Sequence, residues 1–152
     1  MDTTQAEREG TLPYYRYRHV VTLADTNIVG NVYFAHHVAW QGKCRELFLR
    51  DHAPDVLEEL RGSLRLITLR CSCQYFAELM AFDEVEIRMR LRAAQQNRIA
   101  MDFEYVVQHA EGTVLAARGD QEIACMRAGP TGLVPCPVPA SLMAALRHYQ
   151  AR

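Results

Sequence analysis

From Ser63 onward apolar residues recur at every second position, and this alternation limits the possible folds more than any other feature of the chain. Val85, Ile87, Met89 and Leu91 alternate with Glu86, Arg88, Arg90 and Arg92. Ile99, Met101, Phe103, Tyr105 and Val107 alternate with Ala100, Asp102, Glu104 and Val106. Successive strand side chains point to opposite faces, so each run buries one face and wets the other. The turn Gln95-Gln96-Asn97 between the runs predicts an antiparallel hairpin centred near Gln96. That register sets Arg88 opposite Glu104 and Arg90 opposite Asp102 on the solvent face, at roughly a few tenths of a kcal/mol per pair.

The pattern extends in both directions. Residues 64–79 read as one long strand or a bent pair, and His109-Ala110-Glu111-Gly112 makes a turn into a strand over residues 114–126. Gly129, Pro130, Gly132, Pro135, Pro137 and Pro139 exclude a helix and mark a loop. Leu142, Met143, Leu146 and Tyr149 then share one face of a short amphipathic helix.

Before the alternation comes a different texture. Residues 1–12 read as a loosely held tail. Residues 14–23 read as a strand with Tyr15, Tyr17, His19, Val21 and Leu23 on one face. Turn residues follow (Asp25, Thr26, Asn27, Gly30, Asn31), then a helix over residues 32–51, about 30 Å long at 1.5 Å per residue. On it Ala35, Ala39 and Gly42 form a small stripe that admits a sheet closely, while Phe34, Val38, Gln41, Arg45 and Phe48 form another. Pro54 suits the first turn of a second helix closed near Gly62. The order predicts an α+β domain: one antiparallel sheet around one long helix, with an edge strand free for pairing in a homodimer or higher oligomer.

Composition narrows the function. The 152 residues suffice for one domain with a sizeable core. A net charge of −1 gives no footprint for nucleic acid or an anionic membrane. No apolar run approaches the roughly 20 residues needed to cross a bilayer, and the polar start lacks a signal-peptide core. The expected location is the cytoplasm. The five cysteines are odd in number and scattered, which argues against a disulfide framework; Cys71 and Cys73 share a strand face and read as packing residues. No CxxC pair completes a metal site, and His36 and His37 diverge by about 100° on a helix.

Phosphate-binding G-x-x-x-x-G-K and nucleophile-elbow G-x-S-x-G patterns are both absent. Cys44 has Lys43 and Arg45 beside it in sequence, but neighbours one apart on a helix do not face each other. Polar candidates therefore gather where the turn residues meet the helix start, a place where free backbone N–H groups favour electron-rich ligands.

These residues, DTNIVGNVYFAHHVAWQGKCRE over 25–46, resemble the signature of hotdog-fold acyl thioesterases of the 4-hydroxybenzoyl-CoA type. The match falls on Asp25, Thr26, Gly30, Val32, Tyr33, Phe34, Ala35, Trp40 and Arg45. Departures are as telling: Asn27 stands for the signature's second Asp, Asn31 for its His, His37 for its Tyr and Gly42 for its Glu. An Asn amide takes no proton at neutral pH, so a carboxylate base or nucleophile at position 27 is excluded. With DTN, VGNVYF and WQGKCRE in this form, the chain is similar to the thioesterases of enediyne polyketide biosynthesis.

That resemblance implies a hotdog fold of about five strands around a long central helix. It implies release of a polyene β-ketoacyl chain from the acyl carrier protein of an iterative polyketide synthase, followed by loss of carbon dioxide. Functional roles are implied for Asn27 and Arg45, with substrate contacts from Gly30, Asn31, Val32, Tyr33, Phe34, His37, Gln41 and Thr68. The backbone amides of residues 32–34 are expected to bind the thioester carbonyl, within an apolar and aromatic tunnel between helix and sheet. Neither metal nor organic cofactor is implied, and the implied assembly is a homotetramer, a dimer of dimers. From residue type alone, Asn27 also suits a loop cap, His37 and Thr68 suit packing, and Arg45 suits a helix surface. A general acyl-CoA thioesterase and a non-catalytic acyl-binding protein of the same fold are the alternatives. A hotdog dehydratase is disfavoured, because no His–Asp/Glu pair is recognisable in the motif.

Overall fold

A computed structural model describes residues 14–150; the tail expected over residues 1–12 lies outside them. In chain order the elements are β1 (Tyr15–Val20), α1 (Ala35–His52), α2 (Pro54–Arg61), β2 (Leu64–Tyr75), β3 (Glu84–Gln95), β4 (Arg98–His109), β5 (Gly112–Gly129), β6 (Gly132–Pro135) and α3 (Ala140–His148). The sheet order is β1-β3-β4-β5-β2, with β6 paired to β5, and every pairing is antiparallel. The sheet curls around α1, which is the α+β hotdog arrangement.

The alternation sets this architecture directly. Val85, Ile87, Met89 and Leu91 on β3 and Ile99, Met101, Phe103, Tyr105 and Val107 on β4 are all buried. They close on Trp40, Cys44, Phe48 and Leu49 from α1. Full burial of each large apolar side chain is worth about 1.5–3 kcal/mol, so this seam dominates the packing energy. The hairpin register is the expected one: Arg88 faces Glu104 and Arg90 faces Asp102. The ion pairs, however, run diagonally, Arg90 to Glu104 and Arg92 to Asp102 at 3.3 Å. Sheet twist brings the diagonal neighbour within reach of a long arginine.

Three expectations need correction. Helix α1 starts at Ala35, three residues later than predicted, because residues 26–32 close a small ladder of their own. Bridges Thr26↔Val32 and Asn31↔Met80 hold that segment extended. Second, the Ala35, Ala39 and Gly42 stripe does not meet the sheet. Ala35 and Ala39 are exposed, and a Cβ on Gly42 would touch nothing within 4 Å. Bulky Trp40, Cys44 and Phe48 occupy the sheet-facing side instead. Third, the proline-rich loop contains the short strand β6, whose Gly129↔Gly132 pairing closes a tight hairpin. Gly132 takes a φ of +123°, which only glycine adopts readily, and Pro135 ends the strand at an edge, where its missing N–H costs nothing.

Strand β2 ends at Tyr75 rather than running to residue 79, and it forms one edge of the sheet. Its second half, from Thr68 to Tyr75, is largely exposed; Cys73 is half-buried, whereas Cys71 is open and packs against nothing comparable to a core. Among the described residues no helix is long and apolar enough to cross a membrane.

Candidate active site

The loop before α1 is built by its own backbone. Asn27 N–H donates to the Asn31 carbonyl at 2.9 Å, and Gly30 N–H to the Asn27 carbonyl at 3.0 Å. Gly30 takes a φ of +91°, a conformation that favours glycine. The Asn27 side-chain oxygen accepts from Val29 N–H at 3.0 Å, an Asx turn that fixes the amide plane and leaves Nδ2 free. Asn27 is exposed, as are Ile28, Val29, Tyr33 and Phe34 around it. Asn31 Nδ2 donates to Glu78 at 3.1 Å, while its Oδ1 is buried without a partner.

Of the three amides expected to bind a carbonyl, two are already used. Val32 N–H donates to Leu79 O at 2.8 Å and Tyr33 N–H to Asp25 O at 3.0 Å. The correction moves the open donors one step along: Phe34 N–H and Ala35 N–H donate to no group among the described residues. They are the orphan amides at the α1 start, where the helix dipole is positive.

One turn further, His37 is 3% exposed and, among the described residues, neither ring nitrogen has a partner in full hydrogen-bond geometry, the Phe34 main chain being near enough only to offset burial in part. Its ring lies against Tyr75 at 4.7 Å, Trp40 at 5.4 Å and Tyr105 at 5.5 Å between centroids. Burial depresses its pKa to about 4, so the imidazole is neutral at pH 7. Tyr75 Oη donates to Phe34 O at 2.7 Å and Tyr105 Oη to His37 O, tying the helix start to β2 and β4.

Arg45 stands about ten residues into α1, about 15 Å along the axis from its first turn. It is half-buried, and its Nη1 donates both to Thr68 Oγ1 at 3.2 Å and to Gln121 Oε1 at 3.1 Å. Burial lowers its pKa below the usual value, yet a guanidinium remains a cation at neutral pH. Its Nε and Nη2 make no hydrogen bond among the described residues. Arg45 also lines a groove of about 580 Å³, together with Leu47, Leu49, Leu57, Leu60 and Leu66 and the charged Lys43, Glu46 and Arg50. This lining is aliphatic, where an apolar and aromatic tunnel was expected. Gln41 does not face the groove: it is fully buried, donating to Ser72 O at 2.9 Å and accepting from Gln121 Nε2 at 3.4 Å.

Within one chain, then, the structure joins Arg45 directly to Thr68 and, through Gln121, to Gln41, and it gathers Asn27, Gly30, Asn31, Tyr33 and Phe34 in the loop before α1. No hydrogen bond links the two groups. Cys44 is fully buried, which pushes its thiol pKa far up and removes it as a nucleophile.

Sequence reasoning missed two features. Gln121 carried one faint signal, a polar residue in register with Ile123 and Cys125 on the buried face of β5. A His–Asp pair also exists, contrary to the motif reading: His19 Nε2 lies 3.0 Å from Asp25 Oδ2, and His36 Nδ1 lies 3.9 Å from Asp25 Oδ1. Partial burial pushes the Asp25 carboxyl up, but donation from Thr22 N–H and His19, with the charges of His19 and His36, outweighs it and holds the pKa below the usual value. Asp25 thereby caps the turn between β1 and α1. His19 lies on β1, outside the 25–46 stretch, and His36 lies within it eleven positions after Asp25.

The fold and this loop-and-helix site define a hotdog thioesterase. The chain belongs to the thioesterase-like superfamily, whose pattern matches residues 21–146. It is 26% identical over 132 residues to a 1,4-dihydroxy-2-naphthoyl-CoA hydrolase of Microcystis aeruginosa, covering 86% of this chain and 89% of that one. The dynemicin thioesterase, whose crystal structures reveal induced-fit and allosteric effects upon polyene binding, superposes with a TM-score of 0.89 at 50% identity, over 92% of this chain and 99% of that one. A 1,4-dihydroxy-2-naphthoyl-CoA thioesterase from Synechocystis shares the fold at a TM-score of 0.75 and 22% identity, over 89% and 96% of the two chains. The chain is accordingly a thioester hydrolase.

Proposed function

We propose that this enzyme hydrolyses a polyene β-ketoacyl thioester carried by the acyl carrier protein of an iterative polyketide synthase of the enediyne type. The observation that carries the reading is Arg45: a half-buried cation, anchored through one nitrogen, that lines a groove walled largely by leucines. Its volume of about 580 Å³ is in the range of ligand pockets for extended apolar groups. The half-identical dynemicin thioesterase, studied with bound polyene, supports the same substrate class.

In this mechanism a water oxygen bonds to the thioester carbonyl carbon and negative charge moves to the carbonyl oxygen. Asn27 Nδ2 and the amides of Phe34 and Ala35 stabilise that oxyanion; one such donor is worth about 2.7–4 kcal/mol in the transition state. Collapse breaks the C–S bond, and the proton lost by water ends on the departing thiolate. Arg45 holds the β-keto oxygen through its free nitrogens, as a planar fork suits paired oxygens. The released β-keto acid then loses carbon dioxide, its C–C electron pair passing to the ketone to give an enol and then a methyl ketone.

A second copy completes the site. Arg45 and Asn27 do not meet within one chain, the β2 edge is long and unpaired, and exposed apolar residues (Ile28, Val29, Tyr33, Phe34, Leu69, Tyr75) border both. Antiparallel pairing of two β2 edges around a twofold axis brings the loop of one copy toward the Arg45 of the other. Two such dimers form a homotetramer.

The relationship to a CoA hydrolase supports a second reading, a broader acyl-CoA thioesterase. Parallel assays of β-ketoacyl carrier protein and simple acyl-CoA separate them. Preference for the carrier-bound β-ketoacyl chain, with a polyene methyl ketone as product, is expected. Preference for CoA esters contradicts the proposal, and absence of turnover on both with retained acyl binding contradicts hydrolysis altogether.

A further inference from the structure

We propose that Gln121 is a positioning residue for Arg45, set in turn by Gln41 in a space that only Gly119 permits. The inference rests on the role given to Arg45 above. Gln121 lies on β5, 4% exposed, in the midst of apolar residues. A buried primary amide is costly unless both ends are paired, and here both are. Its Oε1 accepts from Arg45 Nη1 at 3.1 Å and its Nε2 donates to Gln41 Oε1 at 3.4 Å.

The direction of this chain is fixed from its far end. Gln41 Nε2 donates to the Ser72 main-chain carbonyl at 2.9 Å, and a strand carbonyl accepts only. Gln41 must therefore point its oxygen at Gln121, and Gln121 must point its oxygen at Arg45. A flip of either amide would set NH₂ against NH₂, or NH₂ against the guanidinium. The result is an acceptor held at one place for Nη1, which leaves Nε and Nη2 without a hydrogen bond among the described residues.

Gly119 is the spatial condition for this arrangement. Its partner across the sheet is Cys73, beside Ser72. A Cβ at position 119 would collide with Gln41 Nε2 and lie 2.7 Å from Ser72 O. Real Cβ atoms do not approach so closely, so any other residue displaces the Gln41 amide from its anchor. Thr68 offers Nη1 a second acceptor, but it is an exposed hydroxyl on the edge strand and both donates and accepts, so it imposes no direction.

The test uses the full chain, hydrolysis of a β-ketoacyl N-acetylcysteamine thioester, and ¹⁵N NMR of the Arg45 Nε–H, assigned by its disappearance in Arg45→Lys. Gln121→Leu is expected to lower kcat by about 10–100-fold with KM changed less than about threefold, as a misplaced guanidinium costs more in the transition state than in binding. The Arg45 Nε–H signal is expected to broaden and exchange faster. Gln121→Glu, which keeps an acceptor, is expected to retain the signal. Gly119→Ala, remote from Arg45 by two residues' contacts, is expected to reproduce the Gln121→Leu signal change, and it serves where Gln121→Leu does not fold. An unaltered Arg45 signal in folded Gln121→Leu or Gly119→Ala overturns the proposal. Should Arg45→Ala retain full hydrolysis, the role given to Arg45 falls, and the NMR signal alone then decides the positioning claim.

Discussion

The loop before α1 and the middle of that helix hold their candidate site residues in opposite ways. At Arg45 one guanidinium nitrogen is held by a chain of internal hydrogen bonds through Thr68, Gln121, Gln41 and the Ser72 carbonyl. Around Asn27 the backbone is satisfied locally, but the side chains lie open and the neighbours are exposed apolar residues. The Arg45 setting is organised by the fold of one chain. The Asn27 setting is an open surface of polar loop atoms and apolar side chains. A charge needs a rigid, paired setting to act in a partly buried place, whereas a loop donor needs only a fixed amide plane, and the Asx turn supplies it.

Breaking the Arg45 end carries the largest expected effects. Arg45→Ala should lower kcat by about 10²–10³-fold, comparable to loss of a transition-state donor. It should also destabilise the chain by about 1–3 kcal/mol in urea unfolding, because Gln121 Oε1 is left buried and unpaired. The Asn27 end should separate these two readouts. Asn27→Ala should cost about 10²-fold in kcat but less than about 1 kcal/mol in stability, since one exposed turn hydrogen bond is lost. Equal stability losses at both positions would erase the distinction.

Much of this was legible beforehand and some was not. The hairpin register followed from period-two alternation, because burying one face allows a single pairing. The motif singled out Asn27 and Arg45 and the resemblance added Thr68; the structure joins Arg45 to Thr68 by a hydrogen bond. Other contacts depend on how the chain turns back on itself: Gln121 meets Arg45 from 76 positions away, and His19 meets Asp25 across the turn that follows β1. The helix start was misread for a local reason. Residues 31–34 have no helix breaker, yet the N–H groups of Val32 and Tyr33 find partners in Leu79 and Asp25 that outcompete the first helical turn.

His37 sharpens the comparison through pH. Its pKa is lowered by burial from 6.5 to about 4, so the unfolded chain binds a proton over that interval and the folded chain does not. Its contribution to stability is therefore full above pH 6.5 and is lost as the pH falls toward 4, amounting to roughly 3 kcal/mol at most. Urea midpoints of the wild type should drop relative to His37→Phe across that window. A pH-independent difference would mean that the imidazole is paired or hydrated. The smallest effect belongs to the open helix face. Gly42→Ala should stabilise by about 0.5–1 kcal/mol, as glycine is unfavourable inside a helix and its Cβ position is clear. A loss of stability instead would reveal a neighbour packed on that face in the assembly.

The central claim is that one copy's Asn27 works with another copy's Arg45, and mixing tests it most directly. Asn27→Ala and Arg45→Ala chains, each nearly inactive alone, are unfolded together and reassembled in equal amounts, with mixed dimers verified by native mass spectrometry. Half of the dimers should be mixed, and each mixed dimer should carry one intact site of two, restoring about a quarter of wild-type activity. No recovery in a verified mixture would contradict the account and return both residues to a single chain.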